Sequence, residues 1–413
     1  MAVPCEPLDK ERHIKYWKRC HKSLLPTAYT SSDSTRLLFA CFTICALDLL
    51  GAPLDASERS AIRSWVLSLQ HPEGGFCGSP LHAYGKRDSH KGSANLAATF
   101  FALILLAAAA DGEQEASAAF SGVNRARLLR WLRSLQRADG SFGQNLWDGR
   151  PVGGSDMRHS YLASCIRWML RGPIDQADHD DVNLERMVGH VLRGQTYDGG
   201  MAESSLNESH GGYAYCGIAA LAMLDRDSGT SALQDEALRK GLMLKFLSHR
   251  QFPYLAQEEE DEDAEEAENM VEMDLEALSL NEPCQHVGYN GRWNKKADTC
   301  YCWWTGGALK LLGQVSMMTM DPSRAYLLEI TQHRIGGFSK NAGGPPDIYH
   351  SYLGLASLAI MGQDGLKSFD EGLCCSQELT KKIIAARRGL NESDSKSGWA
   401  EDGFWEAIDR SSA

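Results

Sequence analysis

The sequence predicts an all-α protein folded as an α/α toroid, with six inner and six outer helices closed into a single barrel. Three observations predict it. Six related apolar segments rich in small residues recur along the chain, amphipathic helices separate them, and those helices end in glutamine followed by a glycine turn. One domain is expected over residues 1–413, interrupted by an acidic, disordered insertion at about 257–285.

The first inner segment is LLFACFTICALDLLG (37–51). An outer helix follows in AIRSWVLSLQ, where Ile62, Trp65, Val66 and Leu69 keep the i, i+3, i+4, i+7 spacing of one buried stripe. The turn LQHPEGGF leads to the second inner segment, NLAATFFALILLA (95–107). That run is shorter than the roughly 18–20 residues a bilayer requires, so it reads as a helix buried on all sides and not as a transmembrane segment. LLRWLRSLQ repeats the outer pattern with Leu128, Trp131, Leu132 and Leu135, and LQRADGSF precedes the third inner segment, SYLASCIRWMLRG (160–172). GQTYDGGM leads to YAYCGIAALAMLD (213–225). A fourth outer helix ends in HRQ at Gln251 and reaches its glycine at YNGR only after the acidic insertion, before CYCWWTGGALKLLG (300–313). TQHRIGGF precedes the last inner segment, YHSYLGLASLAIMG (349–362). Closure into a ring is favoured over an open solenoid, because a solenoid exposes one face of its inner helices and caps its ends with polar repeats. In such a ring the inner helices line a cavity and their N-termini share one rim.

The formal net charge of −12 resides in one window: residues 257–276 hold twelve acidic residues and no basic one, and the remainder is balanced. No basic face suggests a nucleic-acid partner. The twelve cysteines are sparse and several sit inside apolar helical patterns (Cys41, Cys45, Cys165, Cys216), so they read as reduced core residues. The N-terminus has no apolar signal region, and a cytoplasmic location is expected.

Chemistry concentrates in GRWNKKADTCYCWW (291–304) and DIYHSYLGL. Two residues turn a helix by about 200°, so Asp298 and Cys300 must straddle a helix start to share a face. Asp298 fits an N-cap and Cys300 the first turn, and His350 holds nearly the same place in the next repeat. Aspartate, cysteine and histidine make a three-ligand zinc site with one position open, or else an N-cap, a buried cysteine and a core histidine. Asp347 is placed to orient His350. His210, Arg292, Lys295 and Lys340 fall at the same rim, where cations and helix N-termini together suit a diphosphate, and Tyr301 adds a hydroxyl.

These residues, with ESHGG (208–212), DMRHSYLASC (156–165) and GGFSK, resemble the β subunits of protein prenyltransferases, most closely the type I geranylgeranyl branch. The resemblance covers most of the chain in order and spacing. It implies a reaction in which the cysteine of a C-terminal CaaX sequence attacks the first carbon of an isoprenoid diphosphate. It implies zinc, one per β subunit, held by Asp298, Cys300 and His350. His210, Arg292, Lys295 and Tyr301 would bind the diphosphate, and Arg158 would lie near the bound peptide. It further implies a helical-repeat α subunit as heterodimer partner, with geranylgeranyl diphosphate and CaaX proteins such as Rho-type small GTPases as substrates.

Within the family, lysine at position 340, where farnesyl- and Rab-directed enzymes carry aspartate, implies that magnesium is not required. Leu38 and Leu353 align with a tryptophan and a tyrosine of farnesyltransferases, which implies room for a 20-carbon chain, although animal type I enzymes carry threonine and phenylalanine there. Asn95 and Ala97 are expected in the pocket for the last peptide residue, with His159 at its edge. The acidic insertion has no counterpart in the pattern. Two competing readings are a farnesyltransferase β subunit, opposed by Lys340, and a silent α/α toroid scaffold, opposed by the intact zinc and diphosphate residues. A terpene cyclase lacks support because no DxDD motif is present.

Overall fold

A computed structural model describes residues 7–88, 91–171, 181–226, 230–255 and 284–392. The acidic insertion expected at 257–285 falls, but for its last two residues, outside the described residues. In chain order the helices are α1 (Lys10–Lys22), α2 (Arg36–Leu49), α3 (Ala56–Ser68), α4 (Leu96–Ala108), α5 (Gly112–Ser117), α6 (Arg125–Ser134) and α7 (Met157–Leu170). They continue as α8 (Leu184–Arg193), α9 (Gly211–Asp225), α10 (Lys240–Ser248), α11 (Thr299–Leu311), α12 (Met320–Ala325), α13 (Ile348–Ile360) and α14 (Gln377–Glu392). A π-helical turn, Tyr326–Thr331, prolongs α12.

The apolar segments form the inner helices α2, α4, α7, α9, α11 and α13. Each packs on the next, and α13 returns to pack on α2, so the ring is closed. Helix α4 shows why closure follows from composition: from Ala98 to Ala107 every residue is buried. Such a helix needs apolar neighbours on every side.

Two sets of hydrogen bonds tie each repeat to the next. On the outside, the glutamine ending each of four outer helices both donates to and accepts from backbone at the start of the next one. Gln70 bonds Gly122 O and Asn124 N, Gln136 bonds Asn183 O and N, and Gln195 bonds Arg239 O and N. Gln251 repeats this at Met317 O and Thr319 N. Helix termini leave backbone groups unpaired, and these glutamines satisfy them from the neighbouring repeat. The fifth glutamine, Gln332, meets His13 Nε2 at 2.9 Å on α1, which completes the ring as the sixth outer helix without carrying the glutamine turn itself.

On the rim, the first N–H of each later inner helix is taken by the loop of another repeat. Leu96 donates to Gln144 O, Met157 to Glu203 O, Gly211 to Gly291 O and Thr299 to Lys340 O, each at 2.9–3.0 Å. Ile348 N donates to Tyr29 Oη at 3.0 Å. These bonds hold five helix N-termini at one rim.

At some depth in the ring, three inner helices reach one strand of chain. The hydroxyls of Tyr161, Tyr215 and Tyr352 donate to the carbonyls of Gly372, Glu371 and Cys374. The segment 371–374 therefore lies within the ring and forms its floor. Asp370 anchors it to Arg226 at the end of α9.

Gln70 is buried and makes both of its bonds to backbone, so Gln70→Leu leaves two backbone groups unpaired at a cost of about 1–3 kcal/mol. Chemical denaturation should show that loss, and a Leu variant of parental stability would mean that these bonds do not tie the repeats.

Candidate metal and diphosphate site

Asp298 caps α11, its Oδ1 accepting from Cys300 N at 2.9 Å. This is the geometry expected of Asp-x-Cys at a helix start: the carboxylate folds over the first turn and the thiol rises beside it. His350 stands in the first turn of α13, whose cap Asp347 accepts from His350 N at 2.9 Å. Because α11 and α13 are neighbours, His350 Nε2 comes to 3.3 Å from Asp298 Oδ1. The ligand atoms of Asp298, Cys300 and His350 lie within 4.8 Å of one another, the one such cluster among the described residues.

His350 Nδ1 lies 2.6 Å from Asp347 Oδ2. A proton on Nδ1 leaves the Nε2 lone pair facing Asp298 and Cys300, the arrangement in which a carboxylate orients a metal-binding imidazole. Burial alone would lower the His350 pKa, but Asp298 and Asp347 raise it to about 9. Burial and the Asp298 carboxylate push the Cys300 thiol well up. A cation at the centre reverses both tendencies, because it stabilises thiolate and neutral imidazole. The oxygen, sulfur and nitrogen donors fit zinc, whose bonds of about 2.0–2.3 Å hold tetrahedral ligands about 3.3–3.8 Å apart.

His210 caps α9, its Nδ1 accepting from Gly212 N at 3.0 Å. Burial, helped by Arg292, lowers its pKa to about 4, so the ring is neutral and carries its proton on Nε2. That N–H donates to Tyr301 Oη at 2.9 Å. The Tyr301 hydroxyl hydrogen is then left for another acceptor at the rim. Gly291 must lack a side chain here, since a Cβ would meet the Tyr301 ring at 2.2 Å. Arg292 pairs with Glu208 at 2.8 Å, which joins the loop before α11 to the loop before α9. Lys295 is exposed, its carbonyl accepting from Asn290 Nδ2 at 2.9 Å. Lys340 is also exposed, but its backbone is fixed at the first N–H of α11.

The remaining expected residues, Leu353 of α13 apart, stand near the starts of other inner helices. Arg158 is held by Asp156 through Nε at 3.0 Å and lies over the Tyr213 ring at 5.7 Å. His159 Nδ1 meets Phe142 O at 3.1 Å. Asn95 caps α4 by accepting from Ala98 N at 2.8 Å, and Ala97 is half-buried beside it. Leu38 is half-buried on α2, whereas Leu353 is 1% exposed in α13, so of the two only Leu38 keeps accessible surface.

A girdle of aromatic side chains joins the inner helices. Ring contacts run through all six inner helices: Tyr349 to Phe42 at 6.1 Å, Phe42 to Phe101 at 5.8 Å, Phe100 to Tyr161 at 5.9 Å, Tyr161 to Tyr215 at 5.6 Å and Tyr215 to Trp304 at 5.2 Å. Trp304 in turn meets Tyr349. This girdle lies just below the metal cluster, since Trp304 is one turn on from Cys300 and Tyr349 adjoins His350. The signal was present, because each inner segment carries an aromatic in its first half.

A family model of the prenyltransferase alpha-alpha toroid domain matches residues 8–375. The geranylgeranyl transferase type-1 subunit beta of Arabidopsis thaliana is 30% identical over 93% of this chain and 92% of its own length. That of Dictyostelium discoideum is 26% identical over 86% and 91%. The protein farnesyltransferase subunit beta of Schizosaccharomyces pombe is 28% identical over 86% and 79%. The solved Candida albicans protein geranylgeranyltransferase-I, complexed with GGPP, superposes with a TM-score of 0.74 at 24% identity, covering 92% of this chain and all of that one. The superposition shows the toroid fold.

Cys300→Ala and His350→Ala should each abolish stoichiometric zinc in the purified protein while circular dichroism stays helical, and full zinc in both would exclude this site. Asp347→Ala should weaken zinc binding about 10–100-fold, as loss of a partner behind a metal-binding histidine does. For His210 the folded pKa lies below the unfolded one. Its contribution to stability is therefore whole above about pH 6.5 and is lost as pH falls towards about 4. NMR of the ring should show neutral imidazole at pH 6, and a charged ring there would contradict the assignment.

Proposed function

The chain belongs to the prenyltransferase alpha-alpha toroid family, and from that we propose that it is the catalytic β subunit of a type I geranylgeranyltransferase. It would work as a heterodimer with a prenyltransferase α subunit and act on proteins ending in CaaX. The observation that carries the reading is the adjacency of a three-ligand cluster suited to a metal, the His210–Tyr301 pair at neighbouring helix starts and a ring of aromatic side chains. A soft-metal site beside a diphosphate site above an apolar tunnel is what thiol prenylation requires.

Asp298, Cys300 and His350 would hold zinc, which when bound keeps the incoming substrate thiol ionised at neutral pH. The substrate sulfur then forms a bond to the first carbon of the isoprenoid as the carbon–oxygen bond breaks. Pyrophosphate leaves, and the thiol proton goes to solvent. Tyr301, already accepting from His210, donates its hydroxyl to the leaving oxygens. Arg292 would exchange Glu208 for the diphosphate, and Lys295 and the first turns of α9 and α11 add positive potential. The aromatic girdle receives the isoprenoid and keeps water from the reacting carbon. Arg158, His159, Asn95 and Ala97 would border the peptide.

The 20-carbon donor is favoured over a 15-carbon donor by leucine at position 38 and by the 30% identity to the type-1 geranylgeranyl subunit of Arabidopsis thaliana. Lys340 would supply an ammonium where magnesium otherwise sits, so magnesium is dispensable. No helix among the described residues is long and apolar enough to cross a membrane. The eleven described cysteines are free, in keeping with a cytoplasmic enzyme.

Coexpression with an α subunit permits two tests. Single-turnover rates should be insensitive to magnesium in the parent. In Lys340→Asp they should fall by a factor equivalent to about 2.7–4 kcal/mol and recover in part with millimolar magnesium. Magnesium dependence in the parent would remove the support for the type I branch. Leu38→Trp should shorten the tunnel and shift preference to the 15-carbon donor, and an unchanged preference would show that Leu38 does not bound it.

A further inference from the structure

We propose that Arg250 is a positioning residue for the diphosphate cradle, acting through Asn290 and Trp293 on the loop that carries Arg292 and Lys295. The inference rests on the prenyl diphosphate reading above and concerns a residue to which that reading gives no role. Arg250 follows α10 and is 0% exposed. Its guanidinium lies between two aromatic faces, 4.9 Å from the Phe246 centroid and 4.2 Å from that of Trp293. One side-chain hydrogen bond runs from Nη1 to Asn290 Oδ1 at 3.2 Å, while Nε and Nη2 have no partner. Among the described residues no carboxylate forms an ion pair with it, although the Asp198 charge acts on it through space.

An unpaired buried cation is costly, and ring faces offset only part of that cost. What the arrangement does is fix a loop. Asn290 accepts from the guanidinium, donates its own N–H to Arg250 O at 3.1 Å and turns its amide to Lys295 O at 2.9 Å. The loop from 290 to 295 is thus pinned at both ends. In its middle Trp293 remains 54% exposed yet lies back on the guanidinium, which gives this ring a reason to fold against the wall. The flanking Gly291 carbonyl and Arg292 side chain reach across to Gly211 and Glu208. One buried guanidinium therefore underlies the loop that bridges α9 and α11.

The test uses the chain in complex with its partner subunit. Arg250→Met keeps bulk and removes the charge and the Asn290 bond. It should raise KM for the prenyl diphosphate about tenfold and weaken inorganic pyrophosphate binding in parallel, with kcat within about twofold and zinc content unchanged. Trp293→Ala should move KM in the same direction by less, Trp293→Phe should restore it, and the double variant should be no worse than Arg250→Met, because both act through one contact. A folded Arg250→Met with parental KM and pyrophosphate affinity overturns the inference, as does a loss carried by kcat or zinc. If Arg250→Met does not fold, the exposed Trp293 decides, and equal affinities in the Ala and Phe variants overturn it. A parent that binds pyrophosphate but transfers no prenyl group contradicts the proposed function instead, and the pyrophosphate comparison still decides the role of Arg250.

Discussion

The site depends on one recurring bond, the first backbone N–H of an inner helix held by the loop of another repeat. Four such bonds end on backbone carbonyls and a fifth on the Tyr29 hydroxyl. A helix start offers unpaired N–H groups and positive potential, and ordinarily water or a side chain satisfies them. Here the barrel uses one of these donors at five of the six starts to set the distance between neighbours. The cap residues Asp298 and His210 and the first-turn residue His350 are thereby brought within reach of one another from three different helices. Lys340 is placed by the same bond: its side chain is free in solvent, but the carbonyl beneath it is fixed to α11.

Stability and chemistry meet in the same groups. Asp298 satisfies Cys300 N and faces His350, and Asp347 satisfies His350 N and holds its ring. Each carboxylate therefore closes a helix and orients a side chain of the candidate cluster at once. His210 does likewise, accepting from Gly212 to cap α9 while its other nitrogen directs Tyr301. Burial keeps that imidazole neutral and so fixes the direction of the hydrogen bond. The charge at this rim comes from arginine and lysine, and the histidine contributes orientation.

Much of this was legible in the sequence. The inner helices announce themselves because a helix buried all round has no polar face to hide, and His350 holds nearly the same place at its helix start as Asp298 and Cys300 do in the repeat before. The outer ring was legible where glutamine precedes glycine. It was silent at α1, which closes the ring through His13 and lacks that turn. The aromatic girdle was present in the sequence but indistinguishable from core, since Phe42 or Tyr215 looks the same whether it packs on a helix or lines a cavity. The floor at 371–374 could not be foreseen, because three tyrosine hydroxyls from distant repeats define it and no periodicity marks it. The rim bonds are backbone to backbone and leave no trace in residue type. Arg250 was visible only as the residue before a turn glutamine, and its place beneath Trp293 required the fold.

The central claim is that Cys300 and the substrate thiol share one metal at this rim. Cobalt substituted for the metal in the coexpressed complex gives a thiolate-to-cobalt absorption band whose intensity follows the number of bound thiolates. The account predicts a band from Cys300 alone that grows as a peptide ending in Cys-a-a-X is titrated in. A spectrum without a thiolate band, or one that saturating peptide leaves unchanged, would contradict it.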